Sequence, residues 1–315
     1  MKIKKIEVFP IRVKNNFDIG RKSDTKNINT AMLEIKNLKK TKKEAPAKNK
    51  VEKRNLEPKS LGNYETNIKD MGEYYVDEGS ATSIYSKSHE TTVVKIETEN
   101  GIVGWGEAQS PVSPNTTATI IKDIVEPLTI GKDIYDVESI WHNNYSSKRE
   151  RGHYTGFYID AICGVDIAIW DAIGKSLNMP TCKAMGGAHR KSVALYNGIG
   201  GTEPEEVADQ AEWSVSKGYK FVKMHLKENL EKDIEIARKV RERVGDSIGI
   251  MIDVHMGFDT FNVIKLGKEL EKLNLLWIES PSDPTDIPGL CEISRSLDIP
   301  IANGEWTRTK YEMRE

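Results

Sequence analysis

From residue 193 to residue 305, apolar runs alternate with amphipathic stretches, and no other feature restricts the fold as much. The runs "VALYNGIG" (193–200), "FVKMHL" (221–226), "IGIMIDVH" (248–255), "LLWIESP" (275–281) and "IPIANGE" (299–305) read as strands. Between them, 204–218, 228–245, 260–274 and 286–298 place apolar residues at helical spacing. Five apolar strands separated by four helices require a parallel sheet with helices outside it, an α/β architecture. A (β/α) barrel and an open doubly wound sheet both satisfy the pattern. No G-x-G-x-x-G follows any of these strands, which argues against a dinucleotide-binding sheet.

The ends of these strands carry the chemistry. "MIDVH" offers Asp253, "WIESP" offers Glu279 and "ANGEW" offers Glu305, at successive intervals of 26 residues. One acid at a strand end is an ordinary polar residue. Three at equal spacing on consecutive parallel strands meet side by side at the C-terminal rim, where barrel active sites form. They would repel one another unless a cation held them, and hard oxygen donors suit Mg²⁺. One strand earlier, Lys223 and His225 in "VKMHL" are two residues apart and share a strand face. A lysine beside a second base is a route to a lowered pKa, whereas a salt bridge to the acids is the structural alternative. His255, two residues beyond Asp253, is expected to face inward by the same parity.

The rest of the chain is less regular. Residues 3–13 alternate as a strand, 91–108 read as a hairpin around a Glu-Asn-Gly turn, and 116–150 read as helices. Residues 158–177 have the spacing of a buried helix. Residues 36–59 carry ten Lys/Arg against three Glu and read as a basic, disordered insertion. No aromatic residues interleave these lysines, so nucleic-acid binding is not the expected use. The 315 residues carry a net charge of −2, which points to no charged partner. Three dispersed cysteines, Cys163, Cys182 and Cys291, fit a reducing compartment without structural disulfides. The N-terminus lacks an apolar signal region and no apolar run reaches membrane-spanning length. The expectation is a cytoplasmic protein with no membrane partner.

"IETENGIVGWGEA", "GVDIAIWDAIGKSLNMP" with its following "GG" turn, and the three acids together resemble the enolase superfamily, in its mandelate racemase/muconate lactonizing enzyme group. The resemblance covers residues 1–13 and about 91–305. It implies an α+β capping domain, expected over 1–130, and a TIM-like barrel, expected over 131–315. It also implies Mg²⁺-assisted removal of a proton α to a carboxylate, with Asp253, Glu279 and Glu305 as metal ligands. Many members carry Lys-x-Lys where this chain has Lys223-Met-His225, so either Lys223 or His225 is the expected base. "DVH" resembles mannonate dehydratases, where the histidine acts as acid–base, and this implies the same for His255.

The implied reaction is dehydration of a sugar acid, with a racemase or cycloisomerase as the alternative. The family barrel has three further strands, whereas this sequence stops ten residues after Glu305. The chain is therefore expected to be a truncated product or one part of a split protein. Self-association or a further C-terminal chain would cover the open barrel, and a catalytically inactive remnant is the rival to an enzyme.

Overall fold

A computed structural model describes residues 1–14, 67–78, 82–226 and 229–314. The basic segment 36–59 lies outside the described residues. Two apolar cores form, one running from Ile3 to Ile173 and the other from Ile199 to Ile299.

The first core is built on an antiparallel sheet of β1 (Ile3–Lys14), β5 (Ser88–Thr98) and β6 (Val103–Ala108), in the order β1-β5-β6. β5 alternates buried and outward residues along its whole length, so one face must be covered. The cover is α4 (Phe157–Ser176), with α1 (Pro114–Ile120), the short α2 (Glu126–Thr129) and α3 (Val137–Ser147) packed around it. Strand and helix approach closely because the seam is made of small residues. A Cβ on Gly104 would lie 2.0 Å from the Ala168 carbonyl oxygen, and one on Gly106 would lie 2.1 Å from that of Gly164. This is the physical content of the "GWG" and "GVDIAIWDAIG" patterns. The expected boundary at residue 130/131 falls inside this core, because α3 and α4 cover the antiparallel sheet. Their helical periodicity could not say which sheet they cover.

A second, small antiparallel sheet comprises β2 (Asn67–Met71), β3 (Tyr74–Glu78) and β4 (Thr82–Ser86). Glu90 of β5, whose side chain is fully buried, joins it to the first sheet. Glu90 accepts from Arg12 Nε at 2.6 Å, Ser86 Oγ at 2.8 Å and the Ser113 amide at 3.0 Å.

The second core lies under a five-stranded parallel sheet. Its units, after the short α5 (Thr181–Ala184), are β7 (Asn197–Gly200), α6 (Pro204–Ser216), β8 (Phe221–His225), α7 (Leu230–Val244) and β9 (Gly249–Asp253). Then come α8 (Thr260–Leu270), β10 (Ile278–Glu279), α9 (Ile287–Ser296) and β11 (Ile301–Ala302). The spatial order is β7-β8-β9-β10-β11, with no reversal. A doubly wound sheet reverses direction, so sequential order decides for an arc of a TIM-like barrel. Among the described residues the arc is open at β7 and β11.

The strands are shorter than their apolar runs predict. β7 begins at Asn197, leaving Val193 and Leu195 exposed, while β10 and β11 hold two residues each. Arg241 fastens the bottom of the arc. Its buried guanidinium donates to the carbonyls of Leu273, Gly245, Ile248 and Asn274 at 2.8–3.1 Å. Residues beyond Glu305 return to the first core: Arg308 Nε donates to Asp160 Oδ1 at 2.8 Å, and Tyr311 stacks on Tyr145. Among the described residues no helix is long and apolar enough to cross a membrane.

Candidate metal centre

Parallel pairing sets the site. In the ladder, Gly200 pairs with His225, His225 with Asp253, Asp253 with Glu279 and Glu279 with Ala302. One row across the arc therefore carries an imidazole and two carboxylates side by side. Glu305 joins them differently. It lies three residues beyond β11 and is delivered by a loop through Gly304, whose φ is +112°. Asp253, Glu279 and Glu305 each offer a carboxylate oxygen within 4.8 Å of the others. Asp253 is buried, Glu279 half-buried and Glu305 exposed, so the cluster opens towards one side.

Lys223 is also at this cluster, with Nζ 2.9 Å from Glu279 Oε1 and 3.1 Å from Asp253 Oδ2. Its ammonium also lies 5.3 Å from the centre of the Tyr196 ring. Burial pulls the Lys223 pKa down, but the hydrogen bonds to Glu279 and Asp253 outweigh it and the net direction is upward. The sequence expectation of a lowered lysine pKa is reversed, because the neighbours that decide are the two carboxylates.

His225 Nδ1 lies 3.5 Å from Asp253 Oδ2. Partial desolvation lowers the His225 pKa although much of its side chain is open; Asp253 opposes the shift and Lys223 adds to it. The shift favours the neutral ring beside that carboxylate.

His255 reaches the mouth by a different route from the expected strand parity. β9 ends at Asp253, and His255 and Met256 have φ of +43° and +58° in a left-handed turn. The His255 amide donates to Asp253 Oδ1 at 3.0 Å. Its ring meets the edge of Trp306, centroids 5.7 Å apart, and its Nε2 lies 3.4 Å from the Tyr85 hydroxyl. Trp277 Nε1 donates to Glu279 Oε2 at 3.1 Å. Sequence reasoning did not single out Tyr85, Tyr196, Trp277 or Trp306. Adjacency to the acids could have flagged Trp277 and Trp306. Nothing in the chain links Tyr85 to a residue 170 positions away.

The donor set fits a hard divalent cation. Three carboxylates face one another, and a single ammonium leaves their negative charge in excess.

Residues 77–186 match the family described as mandelate racemase / muconate lactonizing enzyme, N-terminal domain, and residues 206–315 match the enolase C-terminal domain-like family. Arabinonate dehydratase of Saccharolobus solfataricus is 30% identical over 230 residues, 72% of this chain and 61% of that protein. N-succinyl-L-Arg/Lys racemase of Bacillus cereus is 31% identical over 229 residues, 71% of this chain and 60% of that protein. The chain thus spans about three fifths of the length of these curated relatives. The solved structure of a provisionally named isomerase from Sinorhizobium meliloti aligns with a TM-score of 0.81 at 28% identity, covering 100% of this chain and 71% of its own. With both cores matched in sequence and the whole described fold matched in structure, the chain belongs to the enolase superfamily, in its mandelate racemase/muconate lactonizing enzyme group.

Proposed function

We propose that this chain carries the metal ligands and proton-transfer groups of a site that removes the proton α to a carboxylate, with a sugar acid as substrate and dehydration as the outcome. The single observation that carries the reading is the convergence of Asp253, Glu279 and Glu305 within 4.8 Å beside two bases. The three acids would hold Mg²⁺. Bound there, Mg²⁺ supplies electrostatic stabilisation of the charge that develops on the substrate carboxylate as the proton leaves.

The chain's own residues do the rest. Lys223, held by Asp253 and Glu279, keeps a positive charge against the cluster and orients both carboxylates. His225 is the better proton acceptor of the pair, since Lys223 Nζ is committed to two acids. His255 returns a proton to the departing 3-hydroxyl, a role open to an imidazole, which can both hold and release a proton. Support for dehydration comes from similarity to arabinonate dehydratase and to the L-talarate/galactarate dehydratase of Salmonella typhimurium, 35% identical over 188 residues. The second reading, racemization, is favoured by similarity to the N-succinyl-L-Arg/Lys racemase. The three free cysteines, two of them exposed, fit a reducing cytoplasm. The open edges of β7 and β11 fit pairing with further chain or self-association.

The test is α-deuterium exchange on a panel of sugar acids in D₂O with Mg²⁺, alongside calorimetry of Mg²⁺ binding. Glu279→Gln is expected to weaken Mg²⁺ binding by about tenfold or more. Exchange with water loss supports dehydration, whereas exchange with inversion alone supports the racemase. Exchange that survives Lys223→Met with His225→Asn removes both from the role of base. Mg²⁺ binding unchanged in Glu279→Gln overturns the metal assignment.

A further inference from the structure

The barrel mouth is touched by a residue of the small β2–β3–β4 sheet that the proposed chemistry does not use. Tyr85, on β4, places its hydroxyl 3.4 Å from Nε2 of His255. That is the long end of a hydrogen bond, and such contacts tighten when a ligand closes the site. Both partners are held by independent constraints. The Tyr85 ring stacks on Tyr75 with centroids 5.4 Å apart. The next residue, Ser86, donates to Glu90 at 2.8 Å, and the fully buried Glu90 is ion-paired to Arg12 and accepts from the Ser113 amide. This network fixes the strand that carries Tyr85 to the first core. On the other side, the left-handed turn and the hydrogen bond from its amide to Asp253 Oδ1 set the His255 backbone, while Trp306 borders its ring. Two anchored frames therefore meet at one phenol–imidazole contact.

The geometry points to Tyr85 as the positioning residue for His255, its phenol fixing the ring orientation and tautomer of an imidazole carried by the barrel arc. An imidazole has two distinct nitrogens, and the partner of one decides which proton the other carries. Without Tyr85 the ring can flip about its terminal torsion, and its two tautomers come closer in energy. With Tyr85 in place, Nε2 has a fixed partner; a phenol donates more readily than it accepts, which favours Nε2 as acceptor and the proton on Nδ1. The acid–base group is then complete only when the β2–β3–β4 sheet is docked over the arc. The kinetic consequence, though not the contact itself, rests on the reading of His255 as the proton donor in dehydration.

The decisive experiment is side-chain ¹⁵N NMR of the histidine-labelled protein at a pH where its imidazoles are neutral. The chain has six histidines, and His255 is assigned by the signal lost in His255→Asn. The expected result is one tautomer for His255 in the wild type and an averaged pair in Tyr85→Phe, with the other histidines unmoved. Tyr85→Phe keeps the aromatic stack, so its thermal unfolding should match the wild type. His255 signals identical in the two proteins overturn the proposal. In the kinetic arm, Tyr85→Phe should lower kcat for water loss by about tenfold, with KM within about twofold and α-exchange retained. A change confined to KM, or equal loss of exchange and water loss, overturns it. Absence of exchange in the wild type counts against the Mg²⁺-dependent function, and the NMR comparison still decides the role of Tyr85.

Discussion

The two cores solve the problem of position in opposite ways. In the first, strands of 12 and 11 residues lie beneath a 20-residue helix, and the fit comes from backbone meeting backbone at Gly104, Gly106 and Gly164. In the second, the strands that bring Glu279 and Glu305 pair over only two residues. There the functional groups sit on left-handed turns at His255, Met256 and Ser280 and are held by charge and hydrogen bonds. Long ladders give rigidity where nothing reacts. Short ladders followed by loops release side chains into the mouth, and electrostatics restores the order that was lost. Residues held in left-handed conformations store strain, which is common at functional sites.

The hardest blow to this contrast is Gly106→Val. Its side chain would meet the backbone of Gly164 and Ala168 and force sheet from helix, at a cost of about 3 kcal/mol or more. Thermal unfolding should fall steeply. If Mg²⁺ binding survives in the variant at low temperature, the second core orders its cluster independently; if binding is lost with the first core, the cores are coupled. Next in size, Arg241→Met should cost about 2–3 kcal/mol, because four carbonyls at the base of the arc lose their shared donor. Denaturant melts would show it, and an effect under about 0.5 kcal/mol would mean that water replaces the guanidinium.

Gly304→Ala probes the loop that delivers Glu305. A φ of +112° is strained for alanine, by about 1–2 kcal/mol, though space for the methyl exists beside Met313. The expected outcome is weaker Mg²⁺ binding with little loss of global stability. Unchanged binding would show that Glu305 needs no special backbone.

The smallest effect belongs to the first core. Asp166 on α4 has its pKa pushed up to about 6, mainly by burial and then by Glu138. A folded-state pKa above the unfolded value means that the folded protein binds the proton more tightly. Stability from this group is present at low pH and is lost as pH rises from about 4 through 6. Asp166→Asn should therefore flatten the pH dependence of unfolding and raise stability at neutral pH by about 1 kcal/mol, allowing for partial exposure. A pH profile identical to wild type would place Asp166 in contact with solvent.

Much of this architecture was legible because periodicity and spacing are local. The 26-residue interval located all three acids, and the alternation from 193 to 305 identified every unit of the arc. Strand order was not legible, since a barrel arc and a doubly wound sheet share one pattern until the strands are placed. The lengths of β10 and β11 were misjudged because a buried apolar run looks the same whether or not its amides pair. His255 was expected to follow strand parity, but its left-handed turn ends that parity, and Gly257 signals a turn without saying that it begins at His255. Tyr85 was beyond reach for a simpler reason: its partner is fixed by the docking of the small sheet over the arc, which sequence spacing does not encode.

The row that pairs Gly200, His225, Asp253, Glu279 and Ala302 has a consequence for how such a site can change. Each position arrives on its own strand–helix unit, so replacing one side chain leaves the backbone address of the others intact. The two outer positions bear almost no side chain and act as clearance at the flanks of the polar centre. Variation can therefore proceed one address at a time: the inner three positions set the charge and polarity of the row, and the outer two set the width of the space beside it. The chemistry of such a row can diversify without the fold being renegotiated at each step.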